Sequence, residues 1–193
     1  MTKVKPRRKP AETTDNSTRN FLIGAIVVVA VAGLGLLLYF SLREPPAIPG
    51  VIIYPRPPRG HDDTVEIEYG ELPPPGGVHN SRWLNCGIYT EPVRPENAVH
   101  SLEHGAVWIT YQPDLPEEDV AYLQDLVRGE PYLILSPYPN QRSPVVLTAW
   151  GVQLELESAQ DGRVQEFIER YRQGPTTPER GGACSGGVGT PIQ

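Results

Sequence analysis

The chain has 193 residues, 17 of them Lys or Arg and 23 Asp or Glu, for a formal net charge of −6. Six of the basic residues and two of the acids lie in the first 42 positions, which leaves 11 Arg, no Lys and 21 acids beyond, net −10. So acidic a domain argues against nucleic acid as a partner and against docking on anionic lipid headgroups.

In chain order, residues 1–20 form a polar tail carrying Lys3, Lys5, Arg7, Arg8, Lys9 and Arg19 against Glu12 and Asp15. Phe21 to Leu42 is an uncharged apolar run of 22 residues, enough to cross a hydrocarbon core of about 30 Å as a helix. The basic flank predicts a cytoplasmic tail, a single membrane pass and an extracytoplasmic C-terminal domain. A cleaved signal peptide is the competing reading. It calls for a shorter apolar region and a small-x-small cleavage site, whereas Arg43-Glu44-Pro45-Pro46 follows here.

Residues 43–60 carry six prolines and read as a stiff extended linker that spaces the domain from the bilayer. The folded domain is expected over 61–180, followed by a flexible Gly-rich tail over 181–193. Val65 to Tyr69 alternates apolar and acidic residues, the period of a half-buried strand. Ala106 to Tyr111 and Tyr132 to Ser136 read as buried strands. Between them Pro116 opens a helix with Val120, Leu123, Leu126 and Val127 at helical spacing. Val145 to Trp150 and Gln153 to Glu157 flank Gly151 as a hairpin. Asp161 caps a last helix with the stripe Val164, Phe167, Ile168 and Tyr171, stopped by Gly174-Pro175. The expected fold is α+β: about five strands, mostly antiparallel, with two amphipathic helices on one face.

Cys86 and Cys184 are the only cysteines. Outside the cytoplasm the simplest reading is a disulfide tying the Gly-rich tail to Trp83–Gly87; the alternatives are a thiolate in a metal centre, or free or intermolecular thiols. The four histidines, His61, His79, His100 and His104, all fall within 61–104. His100 and His104 are four apart, so one helical turn projects both imidazoles from one side. Imidazole suits copper and zinc, and the only Met is Met1, which removes a thioether axial ligand. The expected metal ligands are His100 and His104, with His79 third and His61 a fourth or an outer donor, and Glu103 orienting a ligand. The bland alternative gives each imidazole a backbone or water partner and no ion. The order His-x-x-Glu-His also matches the inverted zinc-peptidase motif, in which Glu activates a metal-bound water. Against that, the domain is small and no third ligand follows on a downstream helix. Trp150, in Thr148-Ala149-Trp150-Gly151, is read as core or as a wall of the site. The glycines of 181–189 precede no helix, so they do not read as a phosphate loop.

The string His79…Trp83-Leu84-Asn85-Cys86-Gly87-Ile88-Tyr89, then Glu91-Pro92-Val93, then Ala98-Val99-His100-Ser101-Leu102-Glu103-His104-Gly105-Ala106-Val107-Trp108-Ile109 resembles the bacterial family catalogued as domain of unknown function 3105. Leu135 to Pro139, Ala149 to Gly151 and Tyr171 to Pro175 fit it too, and the resemblance covers about 59–187. It implies one N-terminal membrane helix and an exported domain. Where that family has Pro-Pro-Thr-Ser-Gly-Pro-His, this chain has Pro73-Pro74-Pro75-Gly76-Gly77-Val78-His79, which keeps the histidine and loses a small polar pair. The expectation is a membrane-anchored metal-binding protein, copper before zinc, for metal handling or support of a membrane redox complex. The alternatives are an accessory subunit of a membrane protein complex and a zinc hydrolase.

Overall fold

A computed structural model describes residues 16–42 and 47–192; most of the basic tail, the Arg43–Pro46 start of the linker and Gln193 lie outside the described residues. The chain divides into two units, Met1–Pro46 and Ala47–Gln193. In the first, Asn16–Leu42 (α1) is a 27-residue helix with no buried residue, long and apolar enough to cross a membrane.

The second unit is built on a six-stranded sheet. Its strands are Ile52–Ile53 (β1), Gly87–Ile88 (β2), Val107–Tyr111 (β3), Leu133–Pro137 (β4), Val145–Ala149 (β5) and Val152–Leu156 (β6), in the order β1-β6-β5-β3-β4-β2. Three helices complete it: Pro95–Glu103 (α2), Glu117–Val127 (α3) and Arg163–Tyr171 (α4). The α+β class holds, but the sheet is mixed, not mostly antiparallel. β1, β6, β5 and β3 pair antiparallel, whereas β3 with β4 and β4 with β2 are parallel. For β3 and β4 the cause is α3: a helical crossover between two strands returns the chain in the same direction.

Two cores follow from the strand period. Ile109, Leu135, Leu147 and Leu154 face α3 and α4, where Leu123, Val127, Phe167 and Ile168 meet them. On the opposite face Trp108 and Ile134 pack with Ala98, Val99 and Leu102 of α2, together with Tyr138 and Trp150. Because both faces are covered, β3 and β4 read as unbroken apolar runs. All nine residues of α2 are buried, its polar side as well as its apolar one. Pro95 begins it, in the first turn where a missing N–H costs nothing. The N-cap of α4 is Gly162, one residue after the expected Asp161, which instead accepts the Arg163 N–H at 2.9 Å from just before the helix.

Three segments differ from expectation. Val65–Tyr69 pairs with no strand; Val65, Ile67 and Tyr69 are half-buried and Glu66 and Glu68 exposed, so the alternation records one-sided burial of an extended segment. Part of the proline-rich linker lies on the domain: Ile48 is buried in the core of α3 and α4, and β1 adds to the sheet edge beside β6. The Gly-rich tail is fitted against the chain, with bridges Leu84↔Val188 and Ile88↔Ile192. The β5–β6 hairpin forms as expected. Gly151 takes φ 71° at its turn, a left-handed conformation that favours glycine. Its N–H donates to the Pro75 carbonyl at 2.7 Å and its carbonyl accepts from Tyr54 at 2.8 Å. The turn therefore gathers the Pro73–Gly77 loop that delivers His79.

Candidate metal centre

His61 and His79 arrive on two loops joined by a parallel bridge. The His79 N–H donates to the Gly60 carbonyl at 3.0 Å and the Asp62 N–H to the His79 carbonyl at 2.8 Å. Gln153, fully buried, donates its amide to the Pro73 carbonyl at 2.8 Å and fixes the loop before His79. His100 and Glu103 project from α2, and His104 caps its C-terminus. One donor atom each from His61, His79, His100 and Glu103 fall within 4.8 Å of one another. Two ligands about 2.0–2.1 Å from one ion lie about 2.9–3.3 Å apart when adjacent and about 4.1 Å when opposite. A small closure therefore suffices for these four to share an ion.

The imidazole orientations come from the main chain. His79 Nδ1 lies 2.7 Å from the Gly77 carbonyl, His100 Nδ1 2.8 Å from the Asn80 carbonyl and His104 Nδ1 2.6 Å from the Ala183 carbonyl. A carbonyl only accepts, so each Nδ1 carries the proton and each Nε2 keeps its lone pair when the ring is neutral. Those lone pairs meet each other. His100 Nε2 and His104 Nε2 are 3.1 Å apart. His79, with no exposed surface, aims Nε2 at Glu103 Oε2 at 3.1 Å and makes no hydrogen bond with it. Burial first, then the imidazoles of His104, His79 and His61, push the His100 pKa down against the opposing pull of the Asn80 carbonyl. Facing lone pairs on buried groups are unfavourable until a cation sits among them.

Glu103 is the anionic member. Its Oε1 accepts from Arg59 Nε at 2.6 Å, and its Oε2 also stands 3.6 Å from His61 Nε2. Burial raises its pKa, but the Arg59 hydrogen bond and the nearby histidines outweigh that and hold the carboxyl below its ordinary range. Arg59 also reaches Glu179 at 2.8 Å. Neither Arg59 nor Glu179 was foreseen from sequence, and neither carries a local signal: both are exposed polar residues far along the chain from Glu103. The His61 ring stacks on His100 with centroids 4.7 Å apart, Trp83 lies 5.3 Å from His104, and Trp150 lies 5.8 Å from His79. Trp150 thus serves as core and as wall, while Trp108 is fully buried and donates to Ser136 at 2.9 Å.

The expected residues converge with two differences. Glu103 sits among the donor nitrogens, and His104 stands outside the group of four while touching His100. A peptidase arrangement needs Glu103 facing a metal-bound water; here its oxygens are taken up by Arg59 and by the ligand side. The sulfurs are elsewhere engaged, because Cys86 and Cys184 form a disulfide, with Cα atoms 5.3 Å apart. The Cys86 N–H donates to the Cys184 carbonyl at 2.8 Å, so the bridge holds down the strand of tail whose Ala183 orients His104.

Fold and site together define an α+β domain with a His/Glu cluster that is buried except at His61, in a chain that also carries an apolar helix. Residues 61–186 match the family described as "Protein of unknown function (DUF3105)", and the chain belongs to that family. No curated protein and no solved structure matches it.

Proposed function

We propose that the domain binds one divalent transition-metal ion, copper(II) before zinc, outside the cytoplasm, and serves metal handling or a membrane redox complex rather than turnover of a substrate. The supporting observation is that backbone carbonyls hold Nδ1 of His79 and His100 and leave Nε2 to ligate, in a group with His61 and the buried Glu103 whose donor atoms lie within 4.8 Å of one another. Three imidazoles and a carboxylate suit Cu(II) or Zn(II), and the affinity order of divalent ions puts copper first. With both cysteines in a disulfide and no methionine beyond Met1, the soft donors that favour Cu(I) are missing from the domain. The apolar helix and the disulfide support a membrane anchor with the domain on the oxidising side.

Metal analysis of the purified full chain in detergent, after loading with Cu(II) or Zn(II), tests the reading. One equivalent per chain is expected in wild type and none in folded His79→Ala or His100→Ala. Bound Cu(II) is also expected to quench Trp83 fluorescence. Wild-type protein with no stoichiometric ion would sink the metal reading and leave the accessory-subunit reading in its place.

A further inference from the structure

His104 is set up as a ligand yet stands outside the group of four. Its Nδ1 is committed to the Ala183 carbonyl, and its Nε2 lies 3.1 Å from His100 Nε2, the spacing of two donors on one ion. Glu179 Oε2 is 3.9 Å from the same His104 nitrogen. Glu179 is 46% exposed, whereas Glu103 is 3% exposed. His100 therefore belongs to two overlapping sets: an inner one around the buried Glu103, with His79 and the exposed His61, and an outer one around the exposed Glu179, with the buried His104. Its Nδ1 is held by the Asn80 carbonyl, so only Nε2 can ligate and it serves one ion at a time. The two sets are alternatives, not a two-metal centre.

The segment that carries Glu179 is fixed to the end of α2 and to the His104 ring. The Glu179 N–H donates to the Glu103 carbonyl at 2.9 Å, which fastens the tail to the end of α2. A Cβ on Gly182 would lie 2.5 Å from the His104 ring, so only glycine lets the tail close over it. Arg59 bridges Glu103 and Glu179, a cation that can follow whichever carboxylate is not bound to metal.

We propose that His104 and Glu179, with His100, form an outer station through which the ion enters and leaves the buried set; this rests on the metal reading above. In the transfer the ion keeps its bond to His100 Nε2. Bonds to His104 Nε2 and the Glu179 carboxylate break as bonds to His79 Nε2 and the Glu103 carboxylate form, and waters carried in on the ion return to solvent. No electron moves in the exchange.

The test uses the full chain in detergent loaded with Cu(II). Transfer of copper to excess EDTA is followed by recovery of tryptophan fluorescence in wild type, His104→Gln and Glu179→Gln. Both variants are expected to keep one tight ion with nearly unchanged equilibrium affinity, while loading and release each slow by about 10-fold or more. Glu179→Gln alters only an exposed side chain and so controls for misfolding. Unchanged exchange rates in both variants would overturn the outer station while leaving the metal site intact. Loss of the tight ion in His104→Gln, as complete as in His79→Ala, would also overturn it by making His104 an inner ligand. Wild-type protein that takes up no ion removes both proposals together.

Discussion

Replacing Glu103 with glutamine separates two jobs that one carboxylate performs. As a partner of Arg59 it contributes little, because the guanidinium is half exposed and the pair is screened by solvent; a pair of that kind is worth roughly 0–1 kcal/mol. The charge is buried, which offsets even that. Glutamine keeps an oxygen for Arg59 and places an amide N–H where Oε2 now stands, 3.1 Å from His79 Nε2. That nitrogen has no hydrogen-bond partner in the present arrangement, and supplying one is worth about 1 kcal/mol. The metal-free E103Q protein should therefore be as stable as wild type or more stable by about 1 kcal/mol. Metal binding should move the other way, because the anionic donor is lost: a 10–100-fold weaker affinity, or about 1.4–2.8 kcal/mol, is expected. Urea denaturation in the presence of chelator measures the first quantity, and competition against a chelating dye the second. Opposite signs are the signature of a ligand held in a site that needs an ion. A stability loss of about 3 kcal/mol or more, the cost of breaking a structural buried pair, with metal affinity retained would refute the reasoning.

Three further outcomes are expected. Phe167→Ala, at a fully buried position between the sheet and α4, should cost about 3–5 kcal/mol in urea denaturation, with metal bound per folded chain unchanged. Removing both Cys86 and Cys184 opens a loop spanning 98 residues; a fall of about 2–5 kcal/mol is expected, and wild type with reductant should unfold at the same midpoint as the double variant. Asp161 is held at about 2, below its ordinary 3.8, chiefly by hydrogen bonds from Arg163. Its folded-state pKa is depressed, so its contribution is complete above the ordinary value and vanishes as pH falls through about 2. In acid unfolding, wild type should therefore outlast Asp161→Asn at pH 5 and lose that advantage near the acid limit; an advantage that grows on acidification would contradict the sign.

Much of the scaffold was legible because periodicity reports burial. The stripe of α4, the stripe of α3 and the β5–β6 hairpin each follow from local residue spacing. Strand direction is not local, yet the order strand, helix, strand around Glu117–Val127 already contained the parallel pairing of β3 with β4. The mixed sheet was thus available from connection length, and the antiparallel expectation neglected it. Val65–Tyr69 shows the opposite limit: alternation measures which side is buried, and no residue pattern there says whether a ladder partner exists. At the site, the spacing of His100 and His104 marked the shared face of one turn. His79 and His61 were recognisable as donors, but their approach depends on Gly151 and Gln153 gripping a proline loop some 75 residues earlier in the chain. Arg59 and Glu179 were invisible, since an exposed ion pair depends on tertiary proximity alone.

The carbonyl that orients His104 belongs to Ala183, and this imposes an order in time. His61, His79 and His100 leave the ribosome well before the residue that sets the last imidazole, and the neighbouring Cys184 must then find Cys86. An emerging or incompletely threaded chain already carries the Gly77 and Asn80 carbonyls that orient His79 and His100, and lacks only the one that sets His104. On the two readings above, such a chain has the donors of the buried set without the outer station, which is completed only when the tail folds back and the disulfide closes. How fast this protein takes up and gives up its ion is then decided by when its chain finishes folding, as much as by where the metal is found.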